Sequence, residues 1–207
     1  KTTTAINMAC GFAYRDERVL LVDLDPQANA TSGLGVALDR DAMTLADVIR
    51  GEATPQEALR PTGVEHLDLM PASLDLSNLD ELDRDKSDYG VLKEVLGPLQ
   101  EEYDRWLLDC PPNLGPLTLN GLCAAHEVLI PLQAEYYALE GLTQLWKTVQ
   151  RIQKNLNPGL TLAGILLTMY DRRTNLADDV RREVEEHFGD ELLETVIPRN
   201  VRVSEAP

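Results

Sequence analysis

No stretch of this 207-residue sequence holds the run of about 18 apolar residues that a membrane-spanning helix needs. The first residues also lack the charged and apolar regions of a secretory signal peptide, so we expect a cytoplasmic protein. Cysteine is scarce, and Cys10, Cys110 and Cys123 show neither C-x-x-C nor His-paired spacing. This pattern disfavours a disulfide scaffold and a zinc site, and it favours buried small apolar side chains.

Positive charge is also in short supply. The chain has 19 Lys and Arg against 35 Asp and Glu, a formal net charge of −16. This balance argues against a protein that simply coats nucleic acid, because phosphate backbones are bound by clustered Lys and Arg. However, residues 1–146 hold 10 basic and 25 acidic side chains, whereas residues 147–207 hold 9 and 10. Any contact with DNA is therefore expected from the last third, although such charges are often only solvated helix faces.

The sequence shows no internal repeat or long linker, and apolar residues fall into short runs separated by longer amphipathic stretches. The short runs predict buried strands at Arg18–Leu24, His66–Met70, Trp106–Asp109, Val128–Pro131, Leu162–Met169 and Thr195–Ile197. The longer stretches predict helices at Thr3–Tyr14, Leu74–Leu82, Val91–Glu102, Leu117–Ala125, Leu139–Asn155 and Leu176–Phe188. Strands that alternate with helices indicate an α/β fold with a doubly wound, mostly parallel sheet and helices on both faces. Ligands of such sheets bind beyond the carboxyl ends of the strands.

The chain opens with Lys1-Thr2-Thr3-Thr4 directly before a helical pattern. This matches the end of a phosphate-binding loop, where a Lys reaches the phosphates, a hydroxyl ligates Mg²⁺ and backbone N–H groups cradle anionic oxygens. The glycines of such a loop are missing. Taken alone the pattern is weak, because Ser and Thr also open helices as capping residues.

Two of the predicted strands end in carboxylates. The first ends in Asp23 and Asp25, which at positions i and i+2 point the same way, so that one of them can position a water molecule. The strand that ends in Asp109 is followed by Cys110 and two prolines, which cannot continue it. Asp109 therefore has the form of a Walker B acid, which holds Mg²⁺ beside phosphate oxygens. Lys1, Asp25 and Asp109 are expected to converge on one ligand.

Six blocks of sequence follow one another in a characteristic order: K-T-T-T-A-I-N, V-L-L-V-D-L-D-P-Q-A-N-A-T-S-G-L-G, D-C-P-P-N-L-G, P-L-Q-A-E-Y-Y-A-L-E-G-L, L-L-T-M-Y-D-R-R-T-N-L and T-V-I-P-R-N-V-R-V-S-E-A-P. In this order and spacing they resemble the ParA/Soj family of chromosome and plasmid partition ATPases, which belongs to the MinD/ParA superfamily with a deviant Walker A loop. The resemblance covers nearly the whole chain, and only residues 36–104 match loosely. It implies a P-loop NTPase-like fold, and hydrolysis of ATP with Mg²⁺ as cofactor.

The resemblance also implies roles for single residues. Lys1 would be the phosphate-loop lysine, Thr2 a Mg²⁺ ligand together with the Walker B acid, and Thr3 a phosphate contact. Asp25 would activate or orient the attacking water, and Asp23 would support the network around Mg²⁺ and phosphate.

Further roles are implied later in the chain. Met169, Pro198 and Asn200 resemble the adenine pocket of the family. The segment 133–137, with Tyr136 and Tyr137, is similar to the stretch near the interface of the ATP-bound dimer, although aromatic residues packed under a helix explain it equally well.

In the family, ATP-driven dimerisation creates a surface for DNA without sequence preference, and slow hydrolysis stimulated by a ParB-type centromere-binding protein resets it. By this resemblance we expect a homodimer when ATP is bound, association with the nucleoid and no membrane contact. The candidate DNA-binding residues are Arg172, Arg173, Arg199 and Arg202.

Three departures from the family pattern affect these expectations. The K-G-G-V-G segment, with a lysine that reaches the partner's phosphates, would stand before Lys1, and the terminal helices would follow Pro207. Residues 1–207 are therefore expected to form a single nucleotide-binding domain that lacks the start of its loop and its C-terminal helices, and to be inactive without the upstream loop. Ala28 replaces the usual Gly, which predicts that the backbone there does not need a positive φ.

Two alternatives stay open. A MinD-like division regulator shares this fold but reaches lipid through an amphipathic C-terminal helix. A metabolic or metal-carrier ATPase of the same superfamily would need paired cysteines at a subunit interface, which the spacing of Cys110 and Cys123 does not suggest. No role is assigned to the histidines, because none neighbours a carboxylate motif in sequence.

Overall fold

The computed structural model describes residues 1–79, 89–135 and 138–200, whose contacts divide into two compact units, Lys1–Ala124 and Ala125–Pro207. The first unit contains, in chain order, α1 (Thr2–Ala13), β1 (Val19–Asp23), α2 (Asn29–Gly33), α3 (Leu45–Arg50), α4 (Pro55–Ala58), β2 (Arg60–Pro61), β3 (Leu67–Met70), α5 (Val91–Leu96), β4 (Arg105–Asp109) and α6 (Pro116–Ala124). The second unit contains β5 (Glu127–Gln133), α7 (Ala138–Asn155), β6 (Thr161–Tyr170), α8 (Asn175–Phe188) and β7 (Leu192–Pro198). That the whole chain forms a single domain stays a prediction.

The sheet of the first unit has the order β2-β3-β1-β4. Strand β1 lies at its centre and runs parallel to β3 and β4, whereas β2 adds an antiparallel edge. The register places Asp23 beside Asp109, so two acidic residues end adjacent parallel strands at the same edge of the sheet. This is the edge at which parallel α/β sheets bind their ligands.

Helices cover both faces of this sheet, and the alternation of β1 explains why. Val19 and Leu21 pack with the helices α1 and α2, whereas Leu20 and Val22 pack with α3 and α5 on the opposite face. Because successive side chains of a strand point to opposite faces, a strand buried on both sides must be apolar throughout. The α/β fold class, with a mostly parallel sheet and helices on both faces, is confirmed.

The second unit is a three-stranded parallel sheet in the order β5-β6-β7. Its core joins strand residues such as Ile130 and Ile165 to Leu142 of α7 and Val184 of α8. Trp146 of α7 and Phe188 of α8 meet edge to face, with ring centroids 5.9 Å apart. Aromatic pairs of this geometry add to the gain from apolar burial.

Each of the six predicted strands is present, with ends shifted by up to three residues. The predicted helix Val91–Glu102 ends at Leu96 and continues as a 3₁₀ turn over Gly97–Leu99, because Pro98 lacks the N–H that a longer α-helix requires. The predicted helix Leu74–Leu82 is a 3₁₀ turn over Leu74–Asn78, and its last three residues lie outside the described part of the chain.

The sequence interpretation missed the short elements α2, α3, α4 and β2. Two of them carry capping boxes, in which the Thr44 and Thr54 hydroxyls and the Asp47 and Glu57 carboxylates satisfy the first backbone N–H groups of α3 and α4. Within the described ranges, no helix is both long and apolar enough to cross a lipid bilayer.

Candidate functional site

Asp23 ends the central strand β1 and is completely buried. One carboxylate oxygen, Oδ2, accepts hydrogen bonds from the backbone N–H of Thr31 at 2.9 Å and from its hydroxyl at 2.8 Å. The other oxygen, Oδ1, accepts the backbone N–H of Asp25 at 3.1 Å. The Asp23 carboxylate therefore fixes the loop that follows β1 rather than facing solvent.

Asp25 lies two residues beyond the strand and is 8% exposed. Its Oδ1 accepts the backbone N–H of Gln27 at 3.0 Å, and its carbonyl accepts the N–H of Ala28 at 2.8 Å. These contacts form a tight turn that leads into α2. The loop is therefore held by hydrogen bonds on both sides of Asp25.

The expectation that the backbone at Ala28 needs no positive φ is wrong. Ala28 has φ 54° and ψ 37°, in the left-handed region, where it precedes the first residue of α2. A residue with a Cβ pays about 1–2 kcal/mol for this conformation, which explains why glycine is the natural choice there.

Asp109 ends β4 beside Asp23 and is 3% exposed. The side chain of Thr2, the first residue of α1, lies close enough to this carboxylate to favour its ionised form. Its Oδ2 is buried without a hydrogen-bond partner among the described residues. Buried polar atoms almost always have partners, so this oxygen needs an explanation such as an absent ion.

Lys1 caps the amino end of α1, and its Nζ donates to the carbonyl of Cys110 at 3.1 Å. Its charge acts on Asp109, which in turn feels the charge of Asp25. The structure thus brings Lys1, Thr2, Asp25 and Asp109 together where α1 begins. Thr3 follows as an exposed residue of the first helical turn.

Burial dominates the electrostatics of this group. Desolvation raises the pKa of Asp109, partly offset by the Thr2 side chain and the Lys1 charge, and the negative charge of Asp25 raises it further. Desolvation likewise raises the pKa of Asp23, against the hydrogen bonds from Thr31 and Asp25, and the charge of Asp109 adds to the increase. Burial and the neighbouring Asp109 raise the pKa of Cys110 to about 12, so this thiol stays protonated.

The chemistry of this group fits Mg²⁺ together with a phosphate ligand. A hydroxyl and an unpartnered carboxylate oxygen are hard oxygen donors, and Mg²⁺ takes one or two carboxylates while its remaining positions go to phosphate and water. The open N–H groups at the start of the 12-residue helix α1 add an anion-binding end beside Lys1. The described residues hold no cluster of three or more His, Cys, Asp or Glu side chains that would cage a metal by themselves.

The predicted adenine contacts lie at the carboxyl ends of β6 and β7 in the second unit. Tyr170 pairs with Pro198, and the N–H of Arg199 donates to the carbonyl of Tyr170 at 3.1 Å. Met169 precedes this pair with a left-handed φ of 52° and a side chain that is 42% exposed. Asn200 ends the described segment. Met169, Pro198 and Asn200 therefore lie at one end of the sheet, and their role as adenine contacts stays a prediction.

Arg172, Arg173 and Arg199, three of the candidate DNA-binding residues, are exposed at the same end of this unit. Arg173 forms a bidentate ion pair with Asp171, with nitrogen–oxygen distances of 2.8 and 2.7 Å. The positive charge of Arg199 also acts on this carboxylate.

Three candidates lie outside the described residues. They are Arg202, which was proposed to contact DNA, and Tyr136 and Tyr137, which were proposed for the dimer interface. None of the three cysteines, which all lie in the described part of the chain, forms a disulfide.

Thr31 is the one residue of the site that the sequence interpretation missed. It bridges Asp23 to the end of β3, because its Oγ1 also accepts the backbone N–H of Ala72 at 3.2 Å. The only signal in the sequence was a small hydroxyl residue in a short, glycine-bounded segment after Asp25, and that pattern is common in turns.

Comparison with known proteins gives the family. The family described as "AAA domain" matches residues 1–162. The chromosome-partitioning ATPase Soj of Treponema pallidum is 50% identical over 212 residues, which cover 100% of this chain and 81% of that protein. The chromosome partitioning protein ParA of Myxococcus xanthus is 48% identical over 209 residues, covering 100% of this chain and 74% of that protein.

Solved structures show the same architecture. The cobyrinic acid a,c-diamide synthase of Mycobacterium smegmatis, solved with a bound ATP analog and magnesium, has a TM-score of 0.89 and 38% identity over 97% of this chain and 80% of that chain. The cell division ATPase MinD of Pyrococcus furiosus has a TM-score of 0.77 and 26% identity over 99% of this chain and 80% of that chain.

Proposed function

The chain belongs to the AAA-domain family and, within it, to the Soj/ParA chromosome-partitioning ATPases, and from this premise we propose that its first unit binds and hydrolyses Mg²⁺-ATP to control DNA binding. The observation that carries the proposal is the buried, unpartnered Oδ2 of Asp109 beside Thr2 and Lys1 at the start of α1. Burying a carboxylate oxygen without a hydrogen-bond partner costs folding free energy, and a bound cation would remove this cost.

Each residue of the group has a distinct task in this proposal. Lys1 and the first N–H groups of α1 bind phosphate oxygens, and Thr2 and Asp109 hold the metal. When bound, Mg²⁺ neutralises charge that develops on the transferred phosphate. Asp25 orients the attacking water, and Asp23 keeps the Asp25 loop in place through its backbone hydrogen bond.

We further propose that ATP brings two copies of the protein together and that the exposed arginines at the ends of β6 and β7 then bind DNA without sequence preference. Dimerisation doubles the number of phosphate contacts, and every counterion released adds affinity, so that a weak monomer surface becomes useful. A ParB-type partner that stimulates hydrolysis, a cytoplasmic location on the nucleoid, and adenine contacts from Met169, Pro198 and Asn200 complete the proposal.

The test is DNA retention by the full-length protein in the presence of Mg²⁺ with ATP, with ADP and without nucleotide. We expect retention with ATP only, with gel filtration reporting the dimer under the same condition. Equal retention with both nucleotides, or none with either, would contradict a nucleotide-controlled switch.

The two alternatives have less support. The MinD protein of P. furiosus is 26% identical to this chain, against 50% for the Soj protein of T. pallidum. Liposome flotation of the full-length protein with ATP separates these functions, because a partition protein stays unbound. A metal-carrier function is tested by iron analysis of the purified protein, for which we expect no iron in stoichiometric amount.

A further inference from the structure

Thr31 occupies a position that links three parts of the first unit. It lies in the short helix α2 and is 3% exposed. Its hydroxyl donates to Asp23 Oδ2 at 2.8 Å and accepts the N–H of Ala72, just after β3, at 3.2 Å. The hydroxyl therefore uses both its donor and its acceptor capacity, on a partner at the end of β1 and on one just beyond the end of β3.

The hydrogen bonds continue from Thr31 to the loop that carries Asp25. Asp23 receives the Thr31 hydroxyl and backbone N–H on one oxygen and the Asp25 N–H on the other. Asp25 is thus joined to Thr31 through a single buried carboxylate. A displacement of Thr31 would therefore move the Asp23 carboxylate, which accepts the backbone N–H of Asp25.

The surroundings of α2 limit the other ways in which this loop could be held. Ala30 packs with Ala9 and Ala13 of α1, and Gly33 approaches Ile6 of α1 so closely that an added Cβ would lie 2.7 Å from its Cδ1. The helix α2 is therefore fixed against the helix that begins with Lys1 and Thr2. Thr31 joins this pair of helices to the ends of β1 and β3.

We propose that Thr31 is a positioning residue for ATP hydrolysis, which acts through Asp23 to hold Asp25 where it orients the attacking water. This inference rests on the proposed function and deepens it. Thr31 contacts neither phosphate nor metal in this scheme, so its loss should reduce turnover more than nucleotide affinity. Small displacements of a group that orients a reactant are costly, about 100-fold for 1 Å, whereas binding by Lys1 and α1 is unaffected.

The test compares Thr31→Val, which has nearly the same shape but no hydroxyl, with Thr31→Ser, which keeps the hydroxyl. The kcat for ATP and the Kd of a fluorescent ATP analogue are measured on the full-length protein. We expect Thr31→Val to lower kcat by about tenfold or more while Kd changes by less than about threefold, and Thr31→Ser to retain kcat within about threefold.

Thr62→Val provides a matched control. Like that of Thr31, the Thr62 hydroxyl both donates and accepts: it donates to the carbonyl of Leu67 at 2.7 Å and accepts the N–H of Val64 at 3.1 Å. Thr62 lies in the segment before β3, away from the carboxyl ends of the strands. This variant should lower the thermal midpoint without changing kcat. A merely structural role of Thr31 predicts that both valine variants behave in this way.

Several results would overturn the inference. Among them are a Thr31→Val variant with the kcat of the Thr62 control, equal losses in kcat and affinity, and a Thr31→Ser variant that loses kcat by tenfold. The serine result decides the matter even where Thr31→Val does not fold. A wild-type protein without ATPase activity would instead reject the proposed function itself, and the inference with it.

Discussion

At the scale of single residues, the site is a group of crowded carboxylates that the protein alone does not neutralise. Both carboxylate oxygens of Asp23 accept hydrogen bonds from backbone N–H groups or a hydroxyl, whereas Oδ2 of Asp109 has no hydrogen-bond partner among the described residues. Burial and mutual repulsion raise the pKa of both acids. The energetic cost of this arrangement supports the cation site that we propose.

The Asp109→Asn variant tests this cost. A folded-state pKa raised above the usual value means that ionised Asp109 destabilises the fold, a penalty that is absent at low pH and appears as the pH rises through the raised pKa. The neutral amide of asparagine carries no charge at any of these pH values, so the variant does not have this penalty. The size of the penalty is of the order that an unpartnered buried polar group costs, about 1–3 kcal/mol. With EDTA and no nucleotide, the thermal midpoint of the variant should exceed that of the wild type at pH 8, and by less at pH 5.

The same Asp109→Asn variant should lose at least about 100-fold in kcat, because it lacks the carboxylate that we propose as a ligand of the metal. An unchanged midpoint difference between the two pH values would show that the Asp109 carboxylate is already neutralised in the folded protein.

Ala28→Gly is expected to stabilise the protein. Glycine relieves the left-handed strain of about 1–2 kcal/mol and costs about 0.4–1 kcal/mol through the greater freedom of the unfolded chain, so a net gain of about 0.5–1 kcal/mol remains. For a chain of this size the thermal midpoint should rise by about 2–3 °C. Ala42→Gly, at a loop position with ordinary φ, should lower the midpoint, and a matching decrease for Ala28→Gly would refute the strain argument.

At the scale of elements, the periodicity of apolar residues was sufficient for the long segments. Strand β1 is apolar throughout and is buried on both faces, and α7 and α8 each have one apolar stripe. The sequence alone therefore predicts which faces of these elements are buried. The short helix α2 has no such stripe. This helix is stabilised by the hydrogen bond from Thr31 to Asp23 and by the packing of Ala30 against α1. Such tertiary contacts leave no periodic pattern in the local sequence.

The residues of the candidate site also fall into a predictable and an unpredictable group. The convergence of Lys1, Asp25 and Asp109 could be predicted because each stands at, or just beyond, the end of a regular element, where the topology of a parallel sheet brings residues together. The positive φ of Ala28 and the hydrogen bonds of Thr31 could not be predicted, because both depend on the path of the loop between β1 and α2.

Gly164 shows how much one element depends on a single backbone conformation. It lies at an irregularity in the pairing of β5 with β6 and has φ 149°, and a Cβ there would meet Leu193 Cδ2 at 2.7 Å and the carbonyl of Glu191 at 3.2 Å. Gly164→Ala therefore combines backbone strain with overpacking, and we expect a loss of about 2–4 kcal/mol in the free energy of unfolding.

Urea denaturation measures this loss. The control is Gly159→Ala, whose added Cβ would have only an ordinary contact at 3.7 Å and whose effect should stay within about 0.5 kcal/mol. Equal midpoints for the two variants would mean that β6 tolerates a side chain at Gly164.

At the scale of the whole molecule, the charge is distributed unevenly along the chain, and this bears on the DNA binding that we propose. The first 146 residues carry 10 basic and 25 acidic side chains, a balance that disfavours contact with the phosphate backbone of DNA, and the exposed arginines of the second unit are left as the binding surface that we propose. The ion pair between Asp171 and Arg173 removes part of that charge, which leaves Arg172 and Arg199 as the stronger candidates.

Charge reversal separates this surface from the effect of net charge. Arg172→Glu should weaken ATP-dependent DNA retention by at least about tenfold at 0.1 M salt and reduce the slope of log K against log salt by about 1. Arg15→Glu makes the same change in net charge on an exposed residue of the first unit and should leave retention within about threefold. Equal effects of the two variants would show that DNA retention depends on net charge and not on this surface.

The most direct test of the central claim is the single-turnover rate of ATP hydrolysis by the full-length protein and its Asp25→Asn variant, both saturated with Mg²⁺-ATP. If Lys1, Thr2 and Asp109 bind the nucleotide while Asp25 orients the water, the variant should bind ATP normally and hydrolyse it at least about 100-fold more slowly. Hydrolysis at the wild-type rate by the variant would show that the reaction does not depend on Asp25, and would contradict the proposal that this carboxylate orients the attacking water.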